Sequence, residues 1–327
     1  MPKKEIKHIA IMTSGGDAPG MNAAIRAVLR VGHFHDIQVT GVIGGYTGLV
    51  TGQFQSLDMN SMANILKSGG TILKTGRSRE FMEAPNRKIA YDNLMKAGLD
   101  AFVVIGGDGS FRGAHALVQE TGMTCVGIPA TIDNDIYGSD YTIGFDTAVN
   151  IALDAIDRIR DTASSHDRLF IVEVMGHDSG FIAVDVGVAG GAEEIFFPEN
   201  PVAIEDAIEH IKRSMARGKK SSILVTAEGK KPGRAYDLAE AIRKRAGFEA
   251  KVCVLGHIQR GGAPSARDRI LASRLGAHAV EKLMLGESDI MIGIQAEKLV
   301  THKLSSVVDK KKQIPNDLIK LAQILSA

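Results

Sequence analysis

Seven short apolar runs, rich in Val and Ile, recur along this chain, and nearly all of them break off into glycine, acidic or amide residues. They occupy residues 6–12, 39–43, 101–105, 124–128, 169–174, 222–226 and 252–255. Their apolarity does not alternate, which is the pattern of strands covered on both faces, as in parallel sheets. Amphipathic stretches lie between them. The clearest predicts a helix over 201–217, capped by Asn200, with Pro201 in its first turn and Gly218 at its end. Ile204, Ile208, Ile211 and Met215 would form its buried stripe. Glu205 and Asp206 precede Lys212, Arg213 and Arg217, a charge order that suits the helix dipole. A second helix is expected over 147–160, burying Val149, Leu153, Ile156 and Ile159.

Alternating strands and helices imply a doubly wound α/β fold, in which ligands bind beyond the carboxyl ends of the strands. Six polar or Gly-rich segments follow strands: Ser14-Gly15-Gly16-Asp17, Gly106-Gly107-Asp108-Gly109-Ser110, Thr131-Ile132-Asp133-Asn134-Asp135, Met175-Gly176-His177-Asp178, Ala227-Glu228-Gly229, and residues 256–262. If the sheet is parallel, all six gather on one edge and form a site.

At 327 residues the chain suits two domains better than one. With 44% apolar and 24% charged residues it has the balance of a globular protein. A formal net charge of +1 excludes a long-range field drawing it to nucleic acid or an anionic membrane. Any anion must therefore be held by local clusters of Arg, Lys and backbone N–H groups. No apolar run approaches the ~20 residues that span a bilayer, and residues 1–8 are basic but unlike a signal peptide. Cys125 and Cys253 cannot make a disulfide framework, and each sits in an apolar run, so both are expected to be buried thiols. A cytoplasmic enzyme is the expectation.

Glycine after a strand lets backbone N–H groups approach phosphate oxygens, and a following helix N-terminus adds a favourable dipole. Gly15–Gly20 leads into a helix around 22–30, and the second turn is Gly106–Ser110. Neither is a Walker A loop or a dinucleotide fingerprint, and Gly218-Lys219-Lys220-Ser221 closes a helix instead of opening one. Asp108, with no cation near it in sequence, reads either as a solvated turn residue or as a Mg²⁺ ligand, since Mg²⁺ takes one or two carboxylates plus substrate phosphates. Asp133 and Asp135 read either as an Asx-rich turn or as a pair for proton abstraction and organisation. Arg77, Arg79, Arg168, Lys251 and Arg260 are available for phosphates. Arg26 and Arg30, i,i+4 neighbours on one helix, join Arg160, Arg217, Lys219 and Lys220 as a surplus that suggests a second anion site.

Residues 14–26, Ile105-Gly-Gly-Asp-Gly-Ser110, Thr131-Ile-Asp-Asn-Asp135 and Leu255-Gly-His-Ile-Gln-Arg-Gly-Gly262 resemble the signatures of bacterial 6-phosphofructokinase, in order and spacing, from about Ile6 through Gln295. The resemblance implies two doubly wound, Rossmann-like α/β domains with the active site in the cleft between them. Residues 1–142 plus 258–306 would form the ATP-binding domain, and 143–257 plus 307–327 the sugar-phosphate domain. Gly16, Arg77, Ser78, Gly107, Asp108, Gly109 and Ser110 would bind ATP, with Asp108 on Mg²⁺. Asp133 would accept the proton of the fructose 6-phosphate 1-hydroxyl, with Thr131, Asp135 and Arg77 organising the centre. Met175, Gly176, His177, Glu228, His257 and Arg260 would hold the sugar phosphate, along with Thr131 and Asp133. Arg168 and Lys251 would reach in from a neighbouring subunit of a homotetramer. Arg26, Arg30, Arg160, Gly191, Glu193, Arg217 and Lys219 would bind ADP or phosphoenolpyruvate as effector. Neither nucleic acid nor membrane is an expected partner.

Four positions depart from the family pattern. His177 and Lys251 stand where Arg is usual, and Lys does not replace the bidentate fork of Arg. Met59 and Ser221 stand where the effector site often has Arg and His. The rival reading within the family is a pyrophosphate-dependent enzyme, which has Asp after Gly-Gly-Asp and Lys before Thr-Ile-Asp. Gly109 and Ala130 occupy those positions here. A non-catalytic nucleotide-binding regulator is opposed by intact Asp108, Thr131 and Asp133, and an NAD-dependent oxidoreductase by the missing fingerprint.

Overall fold

The structure, a computed structural model, describes residues 5–60, 62–164, 168–218 and 221–326. Among them the strands are β1 (His8–Thr13), β2 (Gln38–Val42), β3 (Phe54–Ser56), β4 (Ala101–Gly106), β5 (Thr124–Pro129), β6 (Leu169–Val174), β7 (Glu194–Phe196), β8 (Ser222–Ala227), β9 (Ala250–Val254), β10 (Ile290–Gln295) and β11 (Lys298–Lys303). The helices are α1 (Met21–Phe34), α2 (Gly45–Thr51), α3 (Ala84–Lys96), α4 (Asp108–Thr121), α5 (Phe145–Ser164) and α6 (Phe181–Ala189). They continue with α7 (Ile204–Ala216), α8 (Arg234–Ala246), α9 (Ala266–Met284), α10 (Leu304–Asp309) and α11 (Asn316–Ser326). All seven expected strands form. The strands that sequence reading passed over, β3, β7, β10 and β11, are very short, or follow long helices near the end of the chain.

The chain divides into two compact units. One holds the described residues up to Thr131 with Ile136–Asp146 and Arg260–Lys312; the other holds Ile132–Asp135, Thr147–Gln259 and the described residues from Gln313 on. The first unit carries the sheet β11-β10-β5-β4-β1-β2-β3, parallel through β10, β5, β4, β1 and β2, with antiparallel edges. Successive residues of β1 and β4 point to opposite faces, and both faces are covered. Ala10, Met12, Phe102 and Val104 join one core with Phe111, Leu94 and Leu304, while Ile9, Ile11, Val103 and Ile105 are equally buried on the other face. That is why these runs are apolar without alternation. The helices α1 and α9 pack together in this unit, and a β-carbon on Gly276 of α9 would meet the Ala27 side chain at 2.9 Å.

The second unit carries the parallel sheet β7-β8-β6-β9. Leu169, Ile171 and Leu224 pack under Ala207, Ile208 and Ile211 of α7 and Leu238 and Ile242 of α8, while α6 packs against β8 and α11 against α6. The six polar segments therefore do not gather on one edge. They divide between two sheets, because apolar strands of similar length carry no mark of which sheet they join.

Other local expectations are corrected. Helix α7 begins at Ile204, not at 201, because Asn200 forms an antiparallel bridge with Phe197 and caps nothing. Met215 lies on its exposed side, and Ala207 and Ser214 complete the buried stripe. On α5 the fully buried line is Ala148, Ala152 and Ile156, with Val149, Leu153 and Ile159 only half-buried. Cys125 is buried, but Cys253 is half-exposed because β9 is the edge strand of its sheet.

One side chain anchors the loop before α3 to two helices. Arg87 of α3 donates to the carbonyls of Phe81 (2.9 Å) and Met82 (2.7 Å) and forks onto Glu120 of α4 at 2.8 and 2.6 Å. The hydrogen bond and charge of Arg87 lower the Glu120 pKa from its ordinary value, against the opposing effect of burial. A lowered carboxyl contributes stability that is present above its unfolded-state value and lost as pH falls through the folded-state one. Glu120→Gln should therefore lower the urea midpoint at pH 7 and flatten its decline in acid. If parent and variant decline in parallel below about pH 4.5, the bridge is not the acid-sensitive group.

Candidate active site

The strand order of the first unit reverses between β1 and β4, since β2 and β3 lie on one side and β5, β10 and β11 on the other. Such a switch point leaves a crevice where both outgoing loops turn away. The two Gly-rich turns are those loops. Ser14 N donates to Ile105 O at 2.9 Å, and Ser110, buried, caps its own turn through Gly107 O at 3.0 Å. The turns press on one another: a β-carbon on Gly106 would lie 2.5 Å from Ser110 Oγ and 2.6 Å from the carbonyl oxygen of Ser14. Only glycine fits there. Gly107 then serves as the extended N-cap of α4, and Asp108 is the first residue of that helix, where its dipole favours negative charge.

Asp108 is not without a cation. Arg112, one helical turn on, donates through Nε to Asp108 Oδ2 at 3.0 Å, and the two side chains are 53% and 46% exposed. Because α4 begins at Asp108 itself, the spacing of four residues puts both side chains on one helix face. Gly109 faces open space, with no atom within 4 Å of an added β-carbon, whereas Ala130 is buried and its N–H donates to Gly106 O at 2.9 Å. Thr131 follows at the end of β5, and its carbonyl accepts from Thr142 Oγ1 at 2.6 Å.

A loop from Ser68 to Arg79 is stitched to the first turn. Asn22 of α1 donates to Ser68 O (3.1 Å) and accepts from Ile72 N (2.9 Å), Thr13 Oγ1 donates to Lys74 O (2.9 Å), and Thr75 Oγ1 donates to Gly15 O (2.9 Å). This brings exposed Arg77 and half-buried Ser78 to the Gly15–Gly16 turn. Arg260 lies there too: Nη1 donates to Asp17 O at 3.0 Å, and a β-carbon on Gly16 would meet that nitrogen at 2.7 Å. Tyr46 of α2 was not among the expected residues. It is buried, stacks on Phe81 with centroids 4.0 Å apart, and donates its hydroxyl to Ser110 O. It thus supports the second turn from behind.

The second unit also reverses its strand order, between β6 and β9. The loop after β6 carries Met175, Gly176 and His177; Glu228 follows β8, and His257 follows β9. Gln259, fully buried, ties the first of these loops to α5: its Oε1 accepts from Met175 N at 2.8 Å and its Nε2 donates to Ala148 O at 3.4 Å. Glu228 Oε1 accepts from His177 N at 3.3 Å, with its own N–H on Val174 O. His177 takes a left-handed backbone (φ 51°), and its Nδ1 lies 3.4 Å from Asp178 Oδ2. Asp133 joins this unit through Ser179 Oγ, which donates to its carbonyl at 3.2 Å. Asn134 is buried at φ 52°, and Asp135 is exposed.

Arg168 and Lys251 do not join this cluster. Arg168 precedes β6, so the six-residue strand separates it from Met175, roughly 20 Å at ~3.3 Å per residue. Lys251 pairs with Phe170 at the same end and is exposed. Of the other expected anion-binding residues, Arg26 and Arg30 lie on α1, and Arg26 has its pKa lowered by burial and by Arg30. Arg160 of α5 donates to the carbonyls of Gly190 and Gly191, beside buried Glu193, which accepts from Ile223 N. Arg217 is exposed at the end of α7, and Met59 and Ser221 are half-buried. Lys219 lies outside the described residues.

Among the described residues no three His, Cys, Asp or Glu side chains cluster as metal ligands, and no helix is long and apolar enough to cross a membrane. A cation that takes most of its ligands from phosphate and water still fits Asp108. Its half-exposed carboxylate stands at a helix start beside the glycine turn, so a single protein ligand suffices.

The family model for phosphofructokinase matches residues 8–283. ATP-dependent 6-phosphofructokinase 1 of Thermus thermophilus is 56% identical over 321 residues, covering 98% of this chain and all of that protein. ATP-dependent 6-phosphofructokinase of Bacillus thuringiensis is 50% identical with the same coverage. Among solved structures, phosphofructokinase of Saccharomyces cerevisiae superposes with TM-score 0.85 at 34% identity over 93% of this chain, which spans 45% of that longer one. A pyrophosphate-dependent phosphofructokinase from Marinobacter aquaeolei shares the fold, with TM-score 0.83 at 24% identity over 98% of this chain and 92% of that one. With its motifs at the strand ends of two sheets and 98% of its length matched by relatives at 50% identity or more, this chain belongs to the phosphofructokinase family.

Proposed function

We propose that the chain transfers the γ-phosphoryl group of ATP to the 1-hydroxyl of fructose 6-phosphate, releasing fructose 1,6-bisphosphate and ADP, a step of glycolysis. The observation that carries the choice of donor is the open space in front of Gly109, beside a buried Ala130 that brings no charge. It agrees with the ATP-dependent activity named for the most similar relatives reported above.

In this reading the first unit supplies the nucleotide residues. N–H groups of Gly16 and of Gly107, Asp108 and Gly109 would serve the phosphates, with Arg77, Ser78 and Ser110 completing the nucleotide residues. Asp108 would hold Mg²⁺, which supplies charge neutralisation at the phosphate oxygens. Met175, Gly176, His177, Glu228, His257 and Arg260 hold the sugar phosphate. The Asp133 carboxylate accepts the hydroxyl proton as that oxygen bonds to the γ-phosphorus, and the bond to the β,γ-bridging oxygen breaks, leaving ADP. Thr131, Asp135 and Arg77 orient the groups; positioning and charge do most of the work in such transfers.

Because Arg168 and Lys251 sit at the far end of their sheet, they are assigned to the site of a neighbouring subunit in a homotetramer. Arg26, Arg30, Arg160, Gly191, Glu193, Arg217 and Lys219 are assigned to an effector, ADP or phosphoenolpyruvate. The near-neutral charge and the lack, among the described residues, of a membrane-spanning helix support a cytoplasmic enzyme without nucleic-acid partners.

A coupled assay tests the donor directly. ATP should support turnover and pyrophosphate should not; comparable kcat/KM for the two would sink the assignment. Gly109→Asp with Ala130→Lys should abolish ATP use, since the new carboxylate would fill the open space and repel the phosphates.

Asp133→Ser keeps a small polar group and removes the proton acceptor, so kcat should fall by at least ~10²–10⁴ while KM for fructose 6-phosphate moves much less. A loss confined to KM would reassign Asp133 to binding.

Sedimentation should show a tetramer, and ADP or phosphoenolpyruvate should shift the fructose 6-phosphate saturation curve in the parent but less in Arg160→Ala. A monomer with full activity, or a curve that neither compound moves, would contradict these two assignments.

A further inference from the structure

The guanidinium of Arg112 is held at two points. Its Nε donates to Asp108 Oδ2 at 3.0 Å, and its Nη2 donates to the carbonyl of Val308 in α10. A free surface arginine loses much rotamer freedom on pairing; one already tied to a carbonyl loses less, so its ion pair is more persistent than exposure alone implies. The packing of α10 on α4 fixes that tie. One oxygen of the carboxylate proposed to hold the cation is thus already engaged by a permanent positive charge four residues away.

We propose that Arg112 is a positioning residue that competes with the divalent cation for Asp108, weakening the direct hold of the protein on the metal so that the cation is taken mainly through the nucleotide phosphates. This rests on the assignment of Asp108 as the metal residue. Two consequences follow from charge alone. A cation approaching Oδ2 must displace Nε or bind through water at Oδ1, and the like charge of Arg112 opposes it in either case. A cation already bonded to phosphate oxygens carries compensating negative charge, and the penalty shrinks. Arg112 therefore favours the metal–nucleotide complex over the free ion.

Calorimetric titration of a non-hydrolysable ATP analogue, with and without Mn²⁺ and with no sugar phosphate present, isolates the effect. The ratio of the two dissociation constants reports the contact between metal and protein, whatever Arg112 does to the nucleotide itself. Arg112→Gln keeps an N–H donor for Val308 and removes the charge. It should raise the Mn²⁺ enhancement about two- to fivefold, the range expected for one exposed or half-exposed ion pair. Arg112→Lys, which can still reach Asp108 at i,i+4, should stay near the parent. High salt should narrow the gap between parent and Arg112→Gln. An unchanged or smaller enhancement in Arg112→Gln overturns the competition. Asp108→Asn separates the two levels: it should collapse the enhancement. If it does so while Arg112→Gln has no effect, only the role of Arg112 fails. If Asp108→Asn retains the enhancement, the metal assignment fails and the role of Arg112 with it.

Discussion

The contact on which the first unit depends is the one at Gly106. Two adjacent parallel strands, β1 and β4, end there and send their chains in opposite directions, and the turns that follow meet with no room for a β-carbon. A side chain at 106 would have to push aside Ser110 and the Ser14 carbonyl, and backbone cannot yield as a flexible side chain can. From this contact follow the start of α4, the exposure of Asp108 at its first turn, and the alignment of the Ser14–Asp17 turn with the loop carrying Arg77. Tyr46 braces the arrangement from the core, and Asn22 and Thr13 fasten the loop at its edge. Backbone N–H groups in such a setting are fixed before any phosphate arrives, so little reorganisation accompanies binding.

The second unit reaches a similar end by partly different means. Glycine packing recurs in the loop after β6, where a β-carbon on Gly176 would run into the carbonyl oxygen of Ser179, but buried polar side chains add to it here. Gln259 ties the loop after β6 to α5, and Glu173, only 1% exposed, accepts from Gly233 N and Ala235 N at 2.8 Å and so satisfies the start of α8. A buried amide or carboxylate with all its partners supplied specifies one arrangement, and losing a partner would leave a costly unsatisfied group. Rigid scaffolding under half-buried Glu228 and exposed His257 and His177 suits the proposed role of these residues in holding a charged sugar phosphate in one orientation.

Much of this was legible in the sequence. The strands were marked by apolar runs without alternation, and the functional loops by glycine and acid immediately after them, because both signals come from local backbone requirements. What was not legible depends on partners distant in sequence. Nothing in the apolarity of residues 169–174 or 222–226 distinguishes them from residues 101–105, so the runs alone did not divide the strands into two sheets; only the family resemblance implied two α/β domains, as found. The exposure of Cys253 followed from the edge position of β9, and the idleness of Asn200 as a cap from its pairing with Phe197. The Asp108–Arg112 pair was readable in principle. It needed only that α4 begin at Asp108, whereupon the spacing of four residues puts both side chains on one face.

The central claim is that these fixed turns present a nucleotide phosphate for transfer to a sugar hydroxyl, not to water. Phosphorus NMR of the protein mixed with Mg²⁺, ATP and fructose 6-phosphate follows that choice directly. The account predicts loss of the γ-phosphorus signal matched one for one by ADP and by a second phosphomonoester on the sugar, with inorganic phosphate a minor product. Loss of the γ signal into inorganic phosphate alone, with the sugar left as a monophosphate, would contradict it.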